Sequence, residues 1–311
     1  MMKVYTMQQD QMVESQTIEP ESWVHLCTPT EEEIMLVSRT LAVDPDILRA
    51  PLDEEERSRI EVEDGSTLIL VDTPTVSTEG RTFVYSTIPF GIVLTAENII
   101  TVCLKETALP RAFTDGLVKG GFSVRKRRRM TLQLLYRNAT LFLFYLRQVD
   151  KASNRVENEL HISMKNKELI QMLGLEKSLV YFSTSLKGNE IVLEKLLRMD
   201  FVREYPDDTE LLEDVIIENK QAIEMSNIYR DILSGTMDAF ASVISNNLNI
   251  VMKLLAALTI ILTVPTIVSS LWGMNVPVPF EHSPFGFWIV LAIASAFTVL
   301  ATVLAIRKKW L

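Results

Sequence analysis

Two long uncharged apolar runs close this 311-residue chain, and they fix what its C-terminal part can be. Leu254 to Leu271 and Gly286 to Ile306 hold no Asp, Glu, Lys or Arg. Each is long enough, as a helix, to cross a hydrocarbon core of ~30 Å. The Pro-rich turn between them, Val276 to Pro284, is short, so the two runs form a hairpin. Everything before about residue 250 then lies on the same side as the C-terminus. The second run is followed by Arg307-Lys308-Lys309-Trp310-Leu311, and Lys253 opens the first. The turn has one acid, Glu281, and no Lys or Arg. Positive residues stay in the cytoplasm, so both termini are expected there, in a multi-pass protein of the cell membrane. Trp272, Trp288 and Trp310 are placed as interfacial anchors. The first residues are polar and lack the apolar stretch of a signal peptide.

Outside the runs lie roughly 250 residues, enough for one large domain or two small ones. A net charge of −9 argues against a nucleic-acid partner. Cys27 and Cys103 sit in apolar segments, where a reduced, buried, structural role is expected rather than a disulfide. The cysteines show no metal-ligand spacing. His25, His161 and His282 are too scattered for a zinc enzyme site, and His282 reads as a residue of the outer turn. No paired nucleophile and base appears. No Gly is followed by Lys, so a Walker A loop is absent and no nucleotide is expected. The expectation is therefore a protein that is not an enzyme, with neither catalytic nor cofactor-binding residues.

The pattern from Trp23 to about Lys105 is mixed α/β. Trp23–Cys27, Thr67–Asp72, Thr82–Thr87, Gly91–Thr95 and Ile99–Leu104 read as strands, with turns at Glu63-Asp64-Gly65 and Glu79-Gly80. Thr30 and Glu33 form a capping-box pair before a helix. From Ser123 onward the pattern is helical, with breaks expected at Gly174, Gly188-Asn189 and Tyr205-Pro206. One helix is expected from about Asp208 to Trp272, approaching ~100 Å in length. The domains so read are an α/β domain (1–122), a helical region (123–206), a stalk helix (207–249), a first span (250–275), an outer loop (276–285), a second span (286–306) and a basic tail (307–311). Arg125-Lys126-Arg127-Arg128-Arg129 opens the helical region, in an acidic protein and without interleaved aromatics. It reads as a solvated helix start, or as a contact with a neighbour's acids or lipid headgroups.

A stripe runs along the long helix. Asp231, Gly235, Asp238, Ser242, Ser245, Asn249, Met252, Ala256, Thr259, Thr263, Thr266, Ser270 and Gly273 follow one another in steps of four and three. They share one helix face with a seven-residue repeat. Small polar stripes also serve ordinary helix packing in membranes. Here the line continues from the apolar run into Asn249, Asp238 and Asp231, which suits a water-filled path. One helix cannot enclose such a path, so the reading requires a symmetric ring of copies.

At this point the sequence resembles the CorA-type magnesium channels, the metal ion transporter family with a GMN signature. The resemblance rests on Asn249-Ile250-Val251-Met252-Lys253-Leu254-Leu255, Leu271-Trp272-Gly273-Met274-Asn275, Pro279-Phe280-Glu281, the basic Trp-Leu tail and, more loosely, Tyr229 to Gly235. Pro265 stands one residue later than in many members, so the kink and the register near Thr263 are expected to shift with it. The resemblance implies an α+β/α cytoplasmic domain, a long stalk helix continuing into a two-helix transmembrane hairpin, and a pentameric funnel. It implies passive influx of hydrated Mg2+, with Co2+ or Ni2+ as further substrates, gated by cytosolic Mg2+. Its partners would be four copies of itself, the bilayer and divalent cations.

Magnesium prefers six oxygens and gives up water reluctantly. A mouth built of Gly273, Met274 and Asn275 would hold the hydrated ion, the Asn275 carbonyl accepting hydrogen bonds from its waters. A neutral ring releases the ion faster than a carboxylate ring would. Glu281 would concentrate cations outside. Met252 and Leu255 fall where the family has a hydrophobic gate, with Asn249, Thr259, Thr263, Thr266 and Ser270 lining the pore and Asp238 and Asp231 the inner funnel. Asp214 matches the stalk aspartate of the regulatory Mg2+ site; Asp72 and Glu79 are candidates for its partner. A divalent ion at about −150 mV gains roughly 7 kcal/mol on entry, which is sufficient drive. The alternatives are a zinc, cobalt or nickel transporter on the same scaffold, mildly disfavoured by the lack of Cys and His near the pore, and a membrane-anchored sensor or binding protein.

Overall fold

The computed structural model describes residues 1–8, 11–63, 65–79, 82–115, 122–163, 166–199, 201, 206–280, 282–308 and 310. It divides into two compact units, Met1–Thr236 and Met237–Leu311.

The first unit is built on a seven-stranded sheet. Its strands are β1 (Met2–Gln8), β2 (Gln11–Ser15), β3 (Trp23–Cys27), β4 (Arg59–Glu63), β5 (Ser66–Glu79), β6 (Thr82–Leu94) and β7 (Ile99–Cys103). They lie in the order β2-β1-β3-β7-β6-β5-β4. Only β3 and β7 pair parallel; the other neighbours are antiparallel. Alternation sorts the side chains onto two faces. Val24, Leu26, Ile100 and Val102 face helices α1 (Glu31–Leu41) and α2 (Pro45–Arg49) and share a core with Ile34, Val37 and Leu48. Trp23, Phe90, Ile92 and Ile99 face the other way, into a core with residues of α3 (Ala108–Thr114), α4 (Arg127–Ser163), α5 (Asn166–Arg198) and the start of α6 (Pro206–Trp272). The strand-rich and helical parts therefore share one core.

Local signals explain the ends. Thr30 Oγ1 accepts from the Glu33 amide at 3.3 Å while Glu33 accepts from the Thr30 amide at 2.9 Å, closing the capping box. Gly65, with φ of +80°, opens β5 in a conformation that disfavours side chains. Gly91 is required by close approach: a Cβ there would lie 2.2 Å from Pro51 Cγ, in the single 3-10 turn Ala50–Leu52.

Three features differ from the sequence pattern. The strands expected at Thr82–Thr87 and Gly91–Thr95 are one strand, running through Pro89. The N-terminal hairpin β1–β2 and strand β4 were not expected as strands, although Arg59-Ile60-Glu61-Val62-Glu63 alternates polar and apolar residues. Helix α5 runs unbroken through Gly174 and Gly188-Asn189. A helical Gly costs only about 1 kcal/mol against Ala, and packing recovers it. A Cβ at Gly188 would stand 3.1 Å from Ser58 Oγ. Asn189 has a defined task. Asp72 lies beyond the last β4 pairing, at Leu70, and opposite Pro89, which has no N–H. Asn189 Oδ1 accepts from the Asp72 amide at 2.8 Å, and Asn189 and Asn138 donate to the Asp72 carbonyl at 2.8 and 2.7 Å. The polar pair that looked like a turn is a helix-to-sheet clasp.

In the second unit, α6 ends at Trp272 and α7 spans Gly286–Arg307. Both are long and apolar enough to cross a membrane.

Candidate functional site

Within the second unit every stripe residue from Asp238 to Gly273 is exposed. From Asn249 to the end of α6, the residues that the chain covers, wholly or in part, are Ala257, Ile261, Val264, Pro265, Val268 and Trp272. Thr259 and Ile261, Thr266 and Val268, and Ser270 and Trp272 are pairs two residues apart, about 200° around a helix. The covered face and the polar face are thus opposite one another. The unit leaves open the face of α6 that carries Thr259, Thr263, Thr266 and Ser270.

Those hydroxyls are oriented. Thr259, Thr263 and Thr266 donate to the carbonyls of Leu255, Thr259 and Leu262 at 2.8, 2.7 and 3.0 Å. With the proton committed to the backbone, each oxygen keeps its lone pairs for an outside donor. The waters of a hydrated cation are such donors. A straight helix drifts ~20° per heptad against a seven-residue repeat, so over the five heptads from Asp238 to Gly273 the stripe turns by ~100°. Keeping it on one axis calls for left-handed supercoiling.

At the end of α6 the Gly273 amide still donates to Ser269 at 2.9 Å. Gly273 is not left-handed; a Cβ there would lie 3.3 Å from the Ser269 carbonyl, so closeness rather than a turn is what a small residue serves. Met274 and Asn275 are exposed, and the Asn275 amide has no partner among the described residues. The outer turn is held locally. Trp272 Nε1 donates to the Pro279 carbonyl at 2.9 Å, and Phe280 has φ of 71°. A Cβ at Gly286 would meet the Phe280 carbonyl at 2.5 Å, so α7 can start there only with glycine. Glu281 lies outside the described residues, as does the side chain of Glu79.

Asn249, Met252 and Leu255 are exposed on α6. Asp238 is exposed, and its carbonyl accepts from Ser242 at 3.0 Å. In the first unit, Asp231 pairs with its neighbour Arg230 at 3.1 Å. Asp214 is exposed, one turn from Glu210 and Glu218. Burial, together with Glu218 and Asp214, pushes the Tyr136 phenol up, which puts this acidic ridge beside Tyr136. Asp72 is placed differently. Burial pushes its carboxyl up, partly offset by a hydrogen bond from Ser185 on α5. Among the described residues the chain gathers no cluster of carboxylates around Asp214.

In the basic cluster Arg125, Lys126 and Arg128 are exposed, as expected of a solvated helix start, while Arg127 and Arg129 are half-buried. Arg125 pairs with Glu21 at 2.9 Å, Arg127 donates to the Thr95 carbonyl, Arg128 lies over the Phe201 ring, and Arg129 pairs with buried Asp208 at 3.0 Å. Sequence reasoning missed one grouping altogether: ligand atoms of His25, Cys27 and Cys103 lie within 4.8 Å of one another.

Two membrane-length helices, one with an uncovered polar face, suit a membrane transport protein. The family model described as CorA-like Mg2+ transporter protein matches residues 21–308, and the chain belongs to that family. It is thus a CorA-type divalent cation transporter. The cobalt/magnesium transport protein CorA of Methanocaldococcus jannaschii is 26% identical, over 93% of this chain and 91% of that protein. The complete structure of the CorA magnesium transporter from the same organism superposes with a TM-score of 0.85 at 23% identity, over 100% of this chain and 98% of that one. The cytoplasmic domain of ZntB from Vibrio parahaemolyticus shares the fold, with a TM-score of 0.59 at 12% identity, over 79% of this chain and 97% of that domain.

Proposed function

We propose that the chain assembles as a homopentamer in the cell membrane and admits hydrated Mg2+ passively, driven by the membrane potential and restrained by cytosolic Mg2+. The observation that carries this reading is the open polar face of α6, opposite the face the chain covers itself. Further copies would place these faces around one axis, where the lone pairs of Thr259, Thr263 and Thr266 accept hydrogen bonds from the ion's water shell. Ser270 extends this lining outward, and Asn249 extends it inward. At the mouth the Asn275 carbonyls bind that shell without stripping it; Gly273 lets the rim close tightly and Met274 supports it. Glu281 raises the cation concentration outside. Met252 and Leu255 form an apolar constriction that closes by expelling water. Asp238 and Asp231 draw the ion toward the cytoplasm, where both termini lie. Asp214, opposite a carboxylate of a neighbouring copy, reads cytosolic Mg2+. The name of the M. jannaschii relative joins cobalt to magnesium, and Co2+ is a second substrate in this reading.

Flux into liposomes holding the purified protein tests the proposal. With an inside-negative potential, Mg2+ should enter fastest, Co2+ should follow and Zn2+ should be slow. Native mass spectrometry of the same preparation should find five copies. A stable monomer or dimer, or faster Zn2+ than Mg2+ entry, would overturn it.

A further inference from the structure

The parallel pair β3–β7 brings together residues that are 76 apart or more in sequence. Strand β3 alternates Trp23, His25 and Cys27 onto one face, and β7 puts Ile99, Thr101 and Cys103 onto the same face. The register sets His25 beside Thr101 and Cys27 beside Cys103. Cys103 is fully buried, His25 is 8% exposed, and both thiols are free.

We propose that His25, Cys27 and Cys103 form a binding site for a thiophilic divalent transition metal, Zn2+ or Co2+, separate from the cation pathway of α6. Two sulfurs and one imidazole are the donor set that tetrahedral zinc and cobalt prefer, and one that magnesium rejects. Donors around a tetrahedral ion stand about 3.5–3.8 Å apart, given bonds of ~2.0–2.3 Å. The present spacing, up to 4.8 Å, closes with side-chain movement of about an ångström.

The surroundings fit an ion with one open position. His25 and Cys27 line a cavity of about 360 Å³, together with Lys3, Glu106, Thr107 and Arg111. The Thr107 hydroxyl is buried and has no hydrogen-bond partner among the described residues. A metal-bound water would give it one. A ligating histidine ordinarily has its other ring nitrogen held by a neighbour, and Nδ1 of His25 lies 2.9 Å from Thr101 Oγ1. That hydroxyl is itself fixed, accepting from Trp23 Nε1 at 2.8 Å. Both thiols lose a proton to the buffer as the metal binds.

The test is cobalt titration of the full-length protein in detergent, under reducing conditions and in excess Mg2+. A thiolate-to-cobalt charge-transfer band with intense tetrahedral visible bands is expected, saturating at one Co2+ per chain and bleached by Zn2+. Cobalt in the α6 pathway would keep an oxygen shell and give neither band, so failure here and failure of the proposed transport are separable. Cys27→Ser, at a half-buried position that tolerates change, should lose the charge-transfer intensity and weaken binding at least tenfold. His25→Gln should shift the visible bands and weaken binding likewise. The metal should also raise the thermal midpoint of the wild type but not of Cys27→Ser, since it binds the folded state. Absence of the charge-transfer band in the wild type, or its full retention in Cys27→Ser, would overturn the assignment.

Discussion

The two units differ in how far their polar side chains reach. In the first, some hydroxyls bond back within a helix, as in Thr131 and Ser178, but other polar groups reach across the fold. Asn189 and Asn138 serve Asp72 on the sheet, Asn219 donates to Leu186 across two helices, and Ser226 donates to Leu179. In the second, threonine and serine hydroxyls of the helices bond to carbonyls four residues back, as for Thr259, Thr263, Thr266, Ser269, Thr298 and Thr302. Apolar groups divide in the same way. Trp23, Phe90, Phe142 and Phe182 are at most a trace exposed, whereas only 6% and 11% of the two span windows are buried. The first unit completes its packing within one chain. The second leaves most of its surface open, apolar and polar alike, as the proposed contact with lipid and further copies requires.

The comparison is broken most sharply at the mouth. Asn275→Ala removes an exposed amide that no described residue uses, so folding and assembly should be unchanged while Mg2+ entry falls to the level of protein-free liposomes. Wild-type flux in this variant would show that the open face of α6 does not end in a selective ring. Next comes the constriction. Met252→Asp or Leu255→Asp should wet an apolar ring and leave the channel leaking at high cytosolic Mg2+. If both variants close normally under patch clamp, the gate lies elsewhere on the stripe.

In the first unit the expected effect moves from flux to stability. Phe182 is fully buried, its ring 5.4 Å from Phe142 and 6.5 Å from Tyr85. Phe182→Ala should cost about 3–5 kcal/mol in denaturant unfolding of that unit. A cost below ~1 kcal/mol would mean that the core is not packed as described. A smaller effect is expected at Asp72. Burial raises its carboxyl above the ordinary 3.8, so the native state binds this proton more tightly than the unfolded chain. Stability then falls as pH rises from 3.8 through the raised native value, and the charged form is the less stable one at neutral pH. Asp72→Asn should therefore stabilise the unit at neutral pH, with the gain vanishing in acid. Destabilisation at neutral pH would show that the carboxylate has a cationic partner, which would return it to the regulatory site.

The membrane half was the more legible in sequence, because its signals are local. Charge-free runs, a seven-residue repeat and a tripeptide at a helix end need no tertiary partner to be read. The α6 boundary at Trp272 and the open stripe follow from them. The sheet was legible where a short, mostly apolar run holds β-branched or aromatic residues, as in Trp23–Cys27 and Ile99–Cys103. It was not where a strand contains Pro89 or where β1 and β2 depend on β3 for their edge. Gly188-Asn189 misled because a turn pair and a clasp look alike until the sheet is in place. His25 and Cys27 stand two apart on a strand, which is a readable hint. Cys103 joins them only through the parallel pairing of β3 with β7, a contact no local pattern announces.

The smallest expected effect lies at Asp214, and it bears on the boundary between self-contained and shared structure. Its helix is anchored in the first unit by Asn219 and Ser226, so substitution should leave the fold unchanged. Yet Asp214 faces outward with Glu210 and Glu218 a turn to either side, like charges at a spacing that weakens a helix slightly. An exposed acidic ridge on an otherwise packed helix suits a cation shared with a second chain. A bound Mg2+ would offset the repulsion and hold the copies together; its loss would bias a two-state arrangement. Asp214→Asn weakens cation binding but also removes part of the repulsion, so the two effects on resting current oppose each other and its sign is not a useful readout. Sensitivity to magnesium is. Protection of the chain from protease should require several-fold more Mg2+ in Asp214→Asn than in the wild type, with unfolding of the first unit unaltered. An identical midpoint would leave Asp214 as a solvated surface acid, and the first unit would then be self-contained at this position too.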